Sequence, residues 1–204
     1  FYILNSMKIS YAITVCNEFV EIQRLVSFLL THKRKEDNII ILYDETHGDP
    51  KIEEYLRANS INGEFLWYKD KFENHFADWK NKLTSLCDGD YIFQIDADEM
   101  PHSNLIESLH LILENNNSDI ILVPRVNTLY PQVSQDYVKK WGWKMNEKGW
   151  IQWPDHQWRI YKNTPEIKWK NKIHDRCFET AAYFNTNTTI TNNELEIYYN
   201  SNYL

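Results

Sequence analysis

Glycine is scarce: five residues among 204, none in a GxGxxG or GxxxxGK[ST] arrangement. A nicotinamide-type dinucleotide site and a P-loop are therefore unsupported. Cysteine is scarcer still. Cys16, Cys87 and Cys177 are odd in number, widely spaced and free of any CxxC. They read as free thiols of a reducing, cytoplasmic compartment, not as a disulfide framework or a zinc site. No run approaches eighteen apolar residues, which excludes an apolar membrane-spanning helix. The opening FYILNSMKIS lacks the basic and apolar regions of a secretory signal, and Met7 is a candidate natural start.

Aromatic residues are plentiful, with eight Trp and thirteen Tyr. A chain of this length and composition buries one sizeable core, so wholesale disorder is excluded. The net charge of −7 is uneven. Residues 139–176 hold ten Lys or Arg against four Asp or Glu, so 10 − 4 = +6, and the remainder carries −7 − 6 = −13. Six of the eight Trp (141, 143, 150, 153, 158 and 169) fall in this basic segment. Two readings stand: a surface for phosphates and flat rings, or a tryptophan core with a solvated lysine rim.

KISYAITV (8–15) reads as a strand, followed by a helix that Asn17 can cap, with Phe19, Ile22, Leu25, Val26 and Leu29 at helical spacing. NIIILYD (38–44) is a continuous apolar run ending in Asp, as expected of a strand buried on both faces. DPKIEEYLRANS (49–60) is a helix with Pro in its first turn, and EFLWYK (64–69) a strand. Phe76, Trp79, Leu83 and Leu86 mark a helix that Gly89 stops. DYIFQID (90–96), a Ser103-capped helix over 103–117 and DIILVPR (119–125) follow. Four strand–helix alternations predict an α/β fold with a mostly parallel sheet and helices on both faces. Residues 126–156 read as irregular, and 157–163 with 166–173 as a hairpin across the NTP turn. The chain reads as a single domain, 1–204: one half over 8–125, a second over 126–180, and a short tail over 181–204.

Ligands of such sheets bind at the carboxyl ends of strands. Those ends carry Thr14, Asn17 and Glu18, then Asp44 and Glu45, then Asp96, Asp98 and Glu99 in YIFQIDADEMP. Two carboxylates two residues apart share a face and repel unless a cation lies between them. Hard oxygen ligands suit Mg²⁺ or Mn²⁺ carrying phosphate oxygens. An EF-hand does not fit, because Met100 stands where a third ligand is required. The alternative is a polar turn whose acids favour the next helix's N-terminus.

ITVCNE near the N-terminus, Asp44, ADWKN at 77–81 and QIDADEMP at 94–101 resemble the nucleotide-sugar half of family-2 glycosyltransferases of GT-A fold. WPDHQWRIYKN (153–163) and IKWKNKIHD (167–175) resemble the ending of bacterial members that glycosylate lipopolysaccharide cores and related acceptors. The resemblance runs from about Lys8 to about Arg176. The family's Arg-Asn is Lys80-Asn81 here, and its His-Glu is His174-Asp175.

The resemblance implies a donor site for a nucleotide-diphosphate sugar, a UDP-sugar first. Asp44, alongside Thr14 and Glu18, would bind the base or ribose, and Lys80 and Asn81 the diphosphate. Asp96 would contact the ribose, or the metal through water; Asp98 would hold Mn²⁺ or Mg²⁺ directly, with His174 a ligand of the metal or the diphosphate; and Arg159 would neutralise phosphate or pair with a carboxylate. Asp155, then Asp175, would be the base in an inverting transfer to a hydroxyl of a glycan, a lipid-linked acceptor or modified nucleic acid. Two other readings remain: a nucleic-acid-binding module or nucleic-acid-directed transferase using 139–176, and a catalytically silent GT-A domain.

Overall fold

A computed structural model describes residues 7–116, 118–128, 135–170, 176–179 and 197–200. The elements follow in the order β1 (Ile9–Val15), α1 (Phe19–His32), β2 (Asn38–Asp44), α2 (Pro50–Asn59), β3 (Leu66–Asp70), α3 (Phe76–Ser85), β4 (Tyr91–Asp96) and β5 (Glu99–Pro101). After them come α4 (Ser103–Glu114), β6 (Ile120–Thr128), α5 (Gln135–Lys140), β7 (Trp150–Lys162), β8 (Ile167–Lys170), β9 (Arg176–Glu179) and β10 (Ile197–Asn200).

The apolar runs β1, β2 and β4 are continuous because both of their faces are covered. Odd-numbered residues Ile9, Tyr11, Ile13, Ile39, Ile41, Phe93 and Ile95 pack on one face against α1, α2 and α4. The alternate set, Ala12, Ile40, Leu42 and Ile92, packs on the other face against Ala77, Trp79 and Leu83 of α3 and Ile167 and Trp169 of β8. This is the mostly parallel α/β sheet with helices on both faces that the alternation predicts.

Among the described residues the main sheet has eight strands, in the order β3-β2-β1-β4-β7-β6-β10-β5. Only β7 and β5 run against the others. β7 lies between β4 and β6, so one sheet passes through both expected halves of the chain.

Several local expectations are corrected. Residues 150–162 form one long strand, so the stretch over 126–156 is not irregular throughout. β7 does not pair with β8; β8 pairs with β9 in a separate two-stranded sheet. The N-cap of α1 is Glu18, not Asn17. The N-cap of α4 is His102, whose ring nitrogen accepts from Asn104 N–H, in place of Ser103. Helix α3 ends at Ser85, before Gly89. Gly89 is needed for another reason: a Cβ there would lie 2.6 Å from the backbone nitrogen of Ser10 on β1.

β8 is fastened to α3 by specific bonds. The Asn81 amide donates to the Trp169 carbonyl at 2.9 Å and accepts from the Trp169 N–H at 2.8 Å. Trp169 Nε1 donates to the Tyr161 hydroxyl at 3.1 Å, which in turn lies 2.9 Å from Thr84 Oγ.

Candidate active site

Three parallel strands, β1, β2 and β4, end at one edge of the sheet, on the side covered by α3. A cleft of about 830 Å³ opens there, walled by the loop after β1, the Asp44 corner, the aromatic rings of Phe72, Phe76 and Trp79, and the turn Asp96–Asp98. The alternation that sends Ile13, Ile41 and Ile95 to one face sends Thr14, Asp44 and Asp96 to the other.

Asp44 closes β2 almost fully buried. Its Oδ1 accepts from the N–H groups of Thr46 (2.8 Å) and Phe72 (3.2 Å). Its Oδ2 lies 3.1 Å from His47 Nδ1 and accepts from Cys16 Sγ at 3.7 Å. Burial raises the Asp44 pKa, but these donors outweigh it and hold the carboxyl below its ordinary value. Glu18 turns back on its own loop, accepting from the N–H groups of Cys16 (2.8 Å) and Asn17 (3.0 Å).

The end of β4 is where the charges meet. Asp96 Oδ2 accepts from Arg159 Nη2 at 2.8 Å. Its Oδ1 accepts from Thr14 Oγ at 3.4 Å and lies 3.9 Å from Lys80 Nζ. Burial raises the Asp96 pKa, yet Arg159 and Lys80 overcome it and keep the carboxyl ionised. Lys80 is itself buried, its ammonium 4.4 Å from the centre of the Trp169 ring.

Asp98 is in the opposite condition. No cation touches it among the described residues. Burial first, then the charges of Asp96, Glu99 and Glu18, pushes its pKa up to about 7. The site therefore has one compensated carboxylate and, two residues on, one that is not.

Glu99 is fully buried and contacts Arg159 Nη2, with Arg125 Nη1 3.5 Å away. Its other oxygen accepts from the Asp96 N–H at 3.2 Å. Burial pushes this carboxyl above the ordinary range against the pull of Arg159 and Arg125. Arg159 stays a cation, because Asp96 and Glu99 more than offset its burial.

Asp155 sits on β7 opposite Arg125 of β6. Its Oδ2 accepts from Arg125 Nε (2.9 Å), Arg125 Nη2 (2.7 Å) and Asn127 Nδ2 (2.9 Å), and its Oδ1 from Gln157 Nε2 (2.7 Å). Burial raises its pKa, but Asn127 and Arg125 lower it further, leaving it below the usual value.

A protein-family comparison matches residues 10–187 to the family described as glycosyl transferase family 2. The chain belongs to glycosyl transferase family 2. Among solved structures, this family-2 chain is similar to S. aureus TarS 1-349 in complex with UDP, with TM-score 0.51 and 17% identity over 63% of this chain and 38% of that one. The same TarS region without ligand gives TM-score 0.53 and 16% identity over 77% of this chain and 47% of that one. S. aureus TarS itself gives 0.53 and 16%, over 77% of this chain and 28% of that one. The chain thus spans less than half the length of each of these proteins. No curated protein sequence matches it.

Of the residues that the sequence singled out in this family-2 chain, Thr14, Glu18, Asp44, Lys80, Asp96 and Asp98 gather at the cleft. Arg159 reaches its rim through Asp96. Asn81 does not line it, being engaged with Trp169. His174 and Asp175 lie outside the described residues. Sequence reasoning missed Arg125, Asn127 and His47. The signal for Arg125 was present: it is the charge that closes the apolar run DIILVPR. No helix among the described residues is long and apolar enough to cross a membrane.

Proposed function

We propose that the chain is a metal-dependent, inverting glycosyltransferase that moves a sugar from a UDP-sugar to a hydroxyl acceptor, acting as one domain. The observation that carries this reading is Asp98: an uncompensated carboxylate beside a compensated one, at the strand ends of a family-2 fold. Such crowding is relieved by a cation, and Mg²⁺ or Mn²⁺ readily brings phosphate oxygens with it. Among the described residues no group of three or more metal-binding side chains is assembled. Asp98 would hold the ion, with His174 as a second protein ligand and the donor's diphosphate and water completing its coordination. When bound, the ion supplies charge stabilisation for the departing diphosphate.

The chain's own residues would do the rest. The rings of Phe72, Phe76 and Trp79 offer apolar surface for a flat base. Thr14, Glu18 and Asp44 shape the loops that surround base and ribose, and the UDP bound by the similar TarS structure supports a uridine donor. Lys80 presents a desolvated ammonium toward the diphosphate. Asp96 stays ionised and contacts the ribose.

Asp155 receives the acceptor's proton as the acceptor oxygen bonds to the anomeric carbon and the carbon–oxygen bond to diphosphate breaks. Among the described residues its Oδ1 accepts only from Gln157, leaving lone-pair capacity for that proton. Asp175 is the second candidate base.

A nucleic-acid acceptor is the second reading. Trp141 is 60% exposed and stacks on Trp143 at 6.4 Å, in a stretch that also bears Lys139, Lys140, Lys144 and Lys148.

Calorimetry across nucleoside diphosphates with Mg²⁺ or Mn²⁺ tests the main reading. UDP is expected to bind, and to lose binding in Asp98→Ala. If no nucleotide binds with metal present, the transferase reading fails. Asp155→Asn should keep donor binding and lose transfer; unchanged turnover would move the base to Asp175.

A further inference from the structure

Five side chains of alternating charge run in unbroken contact from the cleft into the sheet. They are Asp96 at the end of β4, Arg159 on β7, Glu99 on β5, Arg125 on β6 and Asp155 on β7. Arg159 Nη2 donates to Asp96 at 2.8 Å and also to Glu99. Glu99 Oε1 lies 3.5 Å from Arg125 Nη1, and Arg125 grips Asp155 through Nε (2.9 Å) and Nη2 (2.7 Å). Glu99 has no exposed side-chain surface, and Arg159 only 4%.

Two features set this chain of charges apart from ordinary ion pairing. One guanidinium nitrogen of Arg159 serves two carboxylates, so a closer approach to one weakens its hold on the other. Arg125 is likewise divided, with Nη1 toward Glu99 and Nε and Nη2 toward Asp155. Inside the protein these attractions are weakly screened, and a change at one end is felt at the next member. A donor that brings charge to Asp96 therefore alters the demand on Arg159, then on Glu99, then on Arg125.

We infer that Glu99 is a positioning residue that couples the donor end of the cleft to Asp155, so that occupation of the donor site sets the orientation of the carboxylate facing the acceptor. This deepens the proposed function and rests on it. The donor's charge at Asp96 is the input, and the output is the grip of Arg125 on Asp155.

The test follows the Nε–H resonances of Arg125 and Arg159 by NMR in the full chain, with UDP and Mg²⁺ as the probe. Both resonances are expected to shift on binding in the wild type. In Glu99→Gln, Arg159 should still respond and Arg125 should not. A wild-type Arg125 resonance that stays still while calorimetry shows UDP bound overturns the coupling but leaves the donor reading intact. Failure of UDP to bind overturns the donor reading instead.

A second arm needs no nucleotide. Asp155→Asn should shift the Arg159 resonance when Glu99 is present and leave it still in the Glu99→Gln background. Equal shifts in both backgrounds also overturn the inference. If Glu99→Gln does not fold, Glu99→Asp keeps the charge one methylene short and should weaken both responses. In transfer assays Glu99→Gln should lower kcat at least tenfold with little change in the donor KM. Parallel losses in kcat, KM and melting temperature would mark a purely structural role.

Discussion

Removing the charge of Asp98 should make the unliganded protein more stable and the liganded one less so. The folded protein raises this carboxyl from 3.8 to about 7. Below pH 4 the group is protonated in both states and contributes nothing. Between pH 4 and 7 the unfolded chain loses the proton that the folded chain keeps, so stability falls as pH rises, and above 7 the full penalty applies. At 1.36 kcal/mol per pH unit the penalty is about 4 kcal/mol, and solvent reaching the partly exposed side chain reduces it to roughly 2–4 kcal/mol. Asp98→Asn keeps the shape without the charge. At pH 8 without divalent ions it should melt roughly 5–15 °C above the wild type, at about 2–4 °C per kcal/mol for a chain of this size. The gap should close toward pH 4. With saturating Mg²⁺ and UDP the order should reverse, since binding at a hundred times Kd stabilises only the wild type by about 2.7 kcal/mol for each such ligand, about 5 kcal/mol for the two, which exceeds the charge penalty. Paired melts across pH 4 to 8.5, with and without ligand, measure this. A gap that does not change with pH, or an Asn variant less stable at pH 8, would refute the electrostatic reasoning.

Other expectations concern packing and the rim of the cleft. Asn81→Ala removes both side-chain bonds to the Trp169 backbone and should cost about 1–3 kcal/mol in denaturant unfolding, with UDP affinity less affected than stability. Gly89→Ala forces a Cβ to 2.6 Å from the Ser10 nitrogen and should destabilise by about 1–3 kcal/mol in the same assay. Lys80→Ala should weaken UDP binding about tenfold in calorimetry while UDP still binds measurably, since it removes one charge-assisted contact and not the site.

The sheet was legible where the chain organises itself locally. β1, β2 and β4 are apolar throughout because helices cover both their faces, and a run such as NIIILYD shows this without help from distant residues. Strand ends were legible for the same reason: the polarity change at Thr14, Asp44 and Asp96 marks where the cover stops. What failed was long range. QWRIYKN looks like half of a hairpin because EIKWKNKI follows it, yet its partners are β4 and β6, and a register shift at Ile121/Leu122 blurs its alternation. Glu99 reads from sequence as a charge for the next helix's N-terminus. Its actual partner, Arg159, lies sixty residues away and has no local signature. The basic tryptophan segment is divided by the fold: Trp169 is core and Trp141 is surface, a distinction that composition does not carry.

The same separation has a consequence for synthesis. Asp96 leaves the ribosome 63 residues before Arg159, a delay of about 3–13 s at ordinary elongation rates. For that interval β1 to β4 can pair, but the end of β4 carries acidic groups without Arg159. β7 brings the guanidinium that pairs with Asp96 when it inserts beside β4. A released fragment ending at residue 116 should accordingly gain structure as the pH is lowered toward 4, which circular dichroism would read, whereas the full chain should need no such acidification.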